Sequence, residues 1–163
     1  MPAQSKGKIL IIDDDKTLLG SLKRLLIVSD YEVSTMDDAK KALDLLGKIR
    51  PDLIILDMAM PGMSGLSFLK EISDSNGKPE YPILVLTARA NMEDFFSNIN
   101  VDGFLEKPCT TKMLETEIEK ILSIRGRNRP KIPETVEEEP QIISTGIPKV
   151  LLTEDDKRTD IQT

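Results

Sequence analysis

The chain has 163 residues, 39% hydrophobic and 31% charged, with a formal net charge of −6. That is enough for one well-cored soluble domain plus an extension, and the acidic balance argues against direct nucleic-acid binding. There is no histidine and a single cysteine, Cys109, which excludes a Ser-His-Asp or Cys-His hydrolase, a His-ligated metal and an internal disulfide, and fits a reducing, cytoplasmic setting.

No apolar run approaches the ~20 residues needed to span a bilayer, so no membrane association is expected. The polar start, Met1 to Lys8, leads straight into a strand and does not read as a signal peptide.

From Lys8 to about Arg125 strand and helix alternate five times. The apolar run Ile9-Leu10-Ile11-Ile12 ends in Asp13-Asp14-Asp15. A helix over Thr17–Val28 follows, with Leu18, Leu22, Leu25 and Leu26 on one stripe. After a second strand, a helix over Asp38–Ile49 carries Ala39, Ala42, Leu43 and Leu46 in the same way. Leu53-Ile54-Ile55-Leu56 is the next strand and stops at Asp57, where the turn Met58-Ala59-Met60-Pro61-Gly62 begins; a helix over Gly65–Ser73 comes next. Ile83-Leu84-Val85-Leu86 leads to Thr87 and a helix over Asn91–Ile99. Gly103-Phe104-Leu105-Glu106 leads to Lys107-Pro108 and a last helix over Thr111–Ile124, with Leu114, Ile118, Ile121 and Leu122 on its stripe.

Continuous apolar strands, rather than alternating ones, are expected where helices cover both faces of a parallel sheet. The fold class is therefore α/β: a doubly wound, flavodoxin-like (βα)5 unit with strand order 2-1-3-4-5, spanning residues 1–125. In that order the chain reverses direction between the first and third strands, the two that end in acidic residues. The expected crevice and the chemical residues coincide.

After Arg125 the composition changes. Residues 126–148 hold Pro130, Pro133, Pro140 and Pro148 with the run Glu137-Glu138-Glu139, and read as an extended linker. Residues 149–163 open with Lys149-Val150-Leu151-Leu152-Thr153-Glu154-Asp155-Asp156-Lys157. This repeats Lys8 to Lys16, with Lys149, Leu151, Asp155, Asp156 and Lys157 identical at a constant offset. The repeat reads as the first strand of a truncated second copy of the same domain, or as a tail docked on a sheet edge. No helix-turn-helix is expected in so short a tail.

Asp13, Asp14 and Asp57 meeting above the sheet edge would raise one another's pKa unless a cation joined them. Magnesium, a hard ion that takes oxygen ligands and keeps several waters, suits such a group. The site would be poised for a phosphoryl group, with Lys107 neutralising oxygen charge and the Thr87 hydroxyl donating a hydrogen bond. Asp57 is the best nucleophile because its turn presents it alone, whereas the Asp13-Asp14 pair suits the metal. Taken singly, each residue has an ordinary reading: a strand-end Asp is most often a helix cap, Thr87 a good strand former, and Lys107-Pro108 a solvated loop in which Pro108 favours a cis bond. Their joint placement on successive strand ends lifts the case.

The same motifs, Ile11-Ile12-Asp13-Asp14-Asp15, Leu56-Asp57 through Ser64-Gly65, Leu86-Thr87-Ala88 and Glu106-Lys107-Pro108, resemble the receiver domain of two-component response regulators. The resemblance implies that Asp57 is the phosphoacceptor. It implies that Asp14, Asp57 and the Ala59 carbonyl bind Mg2+ directly and Asp13 through water, and that Thr87 and Lys107 hold phosphoryl oxygens. It makes Phe104 the switch aromatic that turns inward when Thr87 moves. The implied donor is a sensor histidine kinase or a histidine phosphotransfer protein. The implied output face is formed by the helix at Asn91–Ile99, the strand at Gly103–Glu106 and the last helix. A homodimer through that face or through the C-terminal strand is a further expectation. A phosphoacceptor that assists its own phosphorylation and dephosphorylation is not an enzyme with a separate substrate.

Three departures stand out. The segment between Thr87 and Lys107 is slightly short for the family. Phe104 lacks the hydroxyl of the common tyrosine variant. Ala59, two residues beyond the acceptor, has no group to orient an attacking water, so a long-lived phosphoaspartate is expected.

Two rival readings belong to other classes. Asp13-Asp14-Asp15-Lys16-Thr17 also fits the Asp-x-Asp-x-Thr signature of haloacid-dehalogenase-like phosphatases, with Asp13 phosphorylated and Asp15 as general acid, but that leaves Asp57 and its turn unexplained. A receiver-like scaffold that works without phosphorylation is the other.

Overall fold

The computed structural model describes residues 4–88 and 98–126. Strands and helices alternate as β1 (Lys8–Ile12), α1 (Lys16–Val28), β2 (Glu32–Met36), α2 (Ala39–Ile49), β3 (Leu53–Leu56), α3 (Gly65–Glu71), β4 (Ile83–Thr87), β5 (Gly103–Glu106) and α4 (Thr111–Gly126). The strands form one parallel sheet in the order β2-β1-β3-β4-β5. Fold class and strand order are those expected.

Alternation along the strands divides the core into two layers. Leu10, Ile12, Ile54, Leu56, Ile83 and Val85 face α2 and α3, packing with Ala39, Ala42, Leu46, Phe68 and Leu69. Ile9, Ile11, Leu53, Ile55, Leu84 and Leu86 face α1 and α4, packing with Leu19, Leu22, Leu26, Leu114, Ile118 and Ile121. Every residue of β3 and β4 is buried, whereas the edge strands β2 and β5 are mostly half-exposed. Each fully buried Leu or Ile contributes roughly 1.5–3 kcal/mol, so the three central strands anchor the sheet.

Each of the first three helices begins at a polar cap. Asp15 accepts hydrogen bonds from the Thr17 and Leu18 N–H groups, Asp38 from Lys41 N–H and Ser64 from Ser67 N–H. Such caps contribute about 1 kcal/mol each. At the opposite end of the sheet Asp102 accepts hydrogen bonds from Nε and Nη2 of Arg125, at 2.9 and 3.2 Å, and from the N–H of Ile83 at 2.9 Å. The end of α4 is thereby tied to the start of β4.

Several expectations shift. Leu19 rather than Leu18 lies on the buried stripe of α1, because the face carrying Leu19, Leu22 and Leu26 is the one docked on the sheet; Leu18 and Leu25 only flank the core. Helix α3 stops at Glu71, where Ile72 turns inward and Ser73 bridges to Pro79. Helix α4 runs one residue into the expected linker, to Gly126. Asn98 and Ile99 form a turn rather than a helix end, and the rest of the helix expected at Asn91–Ile99 lies outside the described residues. So do residues 127–148 of the linker and the repeat at 149–163.

Candidate functional site

The sheet register builds the site. Pairing of Ile12 with Leu56 places Asp13 and Asp57, the next residues on each chain, side by side. The ladder continues past the strands: Asp57 N–H donates to the Ile12 carbonyl at 2.9 Å, and Asp13 N–H to the Met36 carbonyl at 3.1 Å. On the other side Thr87 pairs with Glu106, and Lys107 N–H donates to the Thr87 carbonyl at 2.8 Å. The four strand ends β1, β3, β4 and β5 thus open on one edge, as expected. Thr87 is the last residue of β4 and wholly buried.

The three aspartates after β1 have different surroundings. Asp13 turns inward and is 3% exposed; its Oδ1 accepts the N–H of Asp15 at 2.9 Å. Asp14 is exposed. Asp15 is the cap of α1, its carboxylate engaged by the helix N–H groups. Carboxylate oxygens of Asp13, Asp14 and Asp57 come within 4.8 Å of one another. Such a cluster of hard oxygen donors fits a divalent cation of the magnesium type.

Lys107 is the cation the structure brings to this cluster. Its Nζ lies 2.6 Å from Asp13 Oδ2 and 3.6 Å from Asp57 Oδ1. Asp57 itself is 5% exposed. Burial pushes its carboxyl above the ordinary range; Lys107 and the backbone N–H of Ala59 oppose this, while Asp13 and Asp14 reinforce it.

Around these groups the turn after Asp57 is held by its own side chains, a feature its loop-like sequence does not announce. Met58 and Met60 are both buried against the α2–α3 core layer, while Ala59 between them is exposed. The signal was present in the strand-like alternation Met-Ala-Met. Gly62 follows with φ +76°, a left-handed conformation that favours glycine. Phe104 pairs with Val85 in register and packs half-buried on the same core layer. The Lys107-Pro108 bond is cis. Cys109, one residue on, packs against the other layer with its thiol pushed up by burial, and has no part in the cluster.

A buried aspartate, acidic partners, a lysine and a strand-end threonine share one sheet edge, and the family model of the response regulator receiver domain matches residues 9–119. The chain belongs to that family. Among curated relatives of this receiver, the transcriptional regulatory protein PrrA of Mycobacterium leprae is 33% identical over 134 residues, covering 81% of this chain and 57% of that protein. The response regulator MprA of Mycolicibacterium vanbaalenii is 33% identical over 117 residues, covering 71% and 50%. The chain thus spans about half the length of the curated relatives it matches. Among solved structures, the chemotaxis protein CheY4 of Vibrio cholerae shares 30% identity at a TM-score of 0.64, covering 73% of this chain and 99% of that one. TrrA of Thermotoga maritima, solved in complex with Mg(2+)-BeF, shares 31% identity at a TM-score of 0.62, covering 70% and 97%. Among the described residues of the receiver, no helix is long and apolar enough to cross a membrane.

The phosphatase alternative would use Asp15 as its general acid. Asp15 is committed to capping α1, and the acidic cluster is completed by Asp57 instead.

Proposed function

We propose that this receiver takes a phosphoryl group onto Asp57 and relays it as a signal. The observation that carries the reading is one buried carboxylate, Asp57, within 4.8 Å of two others and 3.6 Å from an ammonium. The chain has no histidine, so a phosphohistidine donor belongs to a partner, a sensor histidine kinase or a histidine phosphotransfer protein. An Asp57 oxygen attacks phosphorus, the P–N bond breaks with its electron pair passing to the partner's imidazole, and an acyl phosphate forms. Asp14, Asp57 and the Ala59 carbonyl would hold Mg2+, with Asp13 acting through water; the ion, when bound, offsets the charge gathered by acceptor and phosphoryl oxygens. Lys107 turns from Asp13 toward a phosphoryl oxygen, and the Thr87 hydroxyl donates to another.

The new group carries roughly −1.5 to −2 charge. Movement of Thr87 toward it opens space for Phe104, which pairs with Val85 two residues before Thr87 on β4, and alters the surface of β5 and α4, where a partner or a second copy would dock. The receiver part is read as signalling through protein contacts rather than by touching nucleic acid itself, and as working in the cytoplasm. The repeat at Lys149–Lys157 is read as the opening strand of a second copy, with Glu154 and Asp155 standing where Asp13 and Asp14 stand in the first.

Incubation with Mg2+ and acetyl phosphate tests the acceptor. The expected result is one added phosphoryl group by intact mass, absent in Asp57→Asn. Unaltered partner regulation in Asp57→Asn would instead favour the phosphorylation-independent scaffold.

A further inference from the structure

Helix α3 starts hard against the acceptor's own peptide. A Cβ built on Gly65 would lie 2.6 Å from the Asp57 carbonyl oxygen, 2.8 Å from Met58 Cα and 2.8 Å from Met58 Sδ. Real Cβ atoms essentially never approach a neighbour closer than 3.0 Å. The methionine sulfur can swing aside, but the other two atoms are backbone, so no rotamer change relieves them. Gly65 N–H also donates to the Met58 carbonyl at 3.2 Å, which fastens the helix start to the same segment. The same short segment carries the Asp57 carboxylate and the Ala59 N–H that hydrogen-bonds to it.

We propose that Gly65 is a positioning residue for the phosphoacceptor: its missing side chain lets α3 seat against Asp57-Met58 and so fixes the acceptor and Ala59 within reach of Asp13 and Asp14. The inference rests on the reading of Asp57 as acceptor and metal ligand. Any side chain at position 65 must either push the Asp57-Met58-Ala59 backbone by several tenths of an ångström or lift the helix away. A displacement of that size is what ligand clusters tolerate poorly. Gly65 touches neither phosphoryl group nor ion; it acts through the backbone of 57–59.

The companion for comparison is Gly103, a second crowded glycine remote from the cluster. A Cβ there would lie 2.9 Å from Glu117 Oε1, 2.9 Å from Ile121 Cδ1 and 3.1 Å from Leu84 Cδ1, all side-chain atoms. Both Gly65→Ala and Gly103→Ala cost stability, but only the first disturbs the site. Calorimetric titration of the full chain with Mg2+ alone, beside thermal melts, reads the two effects separately. The expected result is a Mg2+ Kd raised about 10- to 100-fold in Gly65→Ala, the range for lost supporting groups around a metal, and unchanged in Gly103→Ala. Wild-type Mg2+ affinity in folded Gly65→Ala overturns the inference, as does an equal loss in both variants. If Gly65→Ala does not fold, Ser64→Ala loosens the same helix start without a clash; its Mg2+ Kd should rise, and an unchanged value overturns the inference. Failure of the wild type to bind Mg2+ at all would strike the acceptor-site reading itself, which is thereby told apart.

Discussion

Lys107 pairs with Asp13 more closely than with Asp57: its Nζ is 2.6 Å from Asp13 Oδ2 and 3.6 Å from Asp57 Oδ1. The lysine stands between two carboxylates that are almost wholly buried, in the charge-neutralising role that a dication would share. Lys107→Met leaves both carboxylates without their cation, and in chelator it should destabilise the protein by roughly 1–3 kcal/mol, less than for a fully buried pair because the lysine is partly exposed. Saturating Mg2+ should restore most of that loss. Denaturant midpoints with and without Mg2+ check this, and a gap that Mg2+ does not narrow would count against competition between lysine and metal.

Burial sets the sign of the pH effect at Asp57. Its carboxyl is raised above the ordinary 3.8, so the folded state holds the proton more tightly than the unfolded chain does. The stabilising contribution is complete below the unfolded value and is lost as pH rises through the folded one. At neutral pH the ionised group is a cost. Asp57→Asn should therefore raise Tm at pH 7 in chelator, with the gain shrinking as the pH is lowered toward 4. A melt series showing a gain that grows in acid would reverse the argument.

Ala59 is exposed between two buried methionines and offers only a methyl group two residues beyond Asp57. The phosphorylated receiver should lose its label slowly. Ala59→Asn adds an amide able to orient water and should shorten the half-life several-fold, followed by intact mass after removal of the donor.

Asp15 tests the division of labour in the acidic triplet. Its carboxylate caps α1 and lies outside the metal cluster. Asp15→Ala should cost about 1 kcal/mol of stability and leave Mg2+ affinity unchanged. Asp13→Asn should weaken Mg2+ instead, and equal losses in both would bring the phosphatase arrangement back.

Much of this was legible because parallel strands buried on both faces are written as apolar runs. Ile9–Ile12, Leu53–Leu56 and Ile83–Leu86 each mark a strand, Gly103–Glu106 is a half-exposed edge strand without such a run, and whatever follows each lands on the same edge. The linear pattern does not say how three adjacent aspartates divide. Asp15 became a cap because the helix begins one residue later, and Asp13 turned inward because the ladder holds its N–H to Met36. Nor did it reveal the Lys107–Asp13 pair, which joins groups 94 residues apart and depends on the β1–β3–β4–β5 register. Met58 and Met60 were hidden by their place in a turn rich in loop residues. The run of leucines on α1 leaves open which face is buried, because Leu18 and Leu19 each share a stripe with Leu22 and docking on the sheet decides between them.

The most direct measurement is intact-mass spectrometry of the chain after incubation with Mg2+ and acetyl phosphate, beside Asp57→Asn and Asp13→Asn. One phosphoryl group on the wild type, absent in Asp57→Asn and diminished in Asp13→Asn, is the result this account predicts. A label that survives Asp57→Asn and disappears with Asp13→Asn would contradict it, because the nucleophile would then stand at the end of β1.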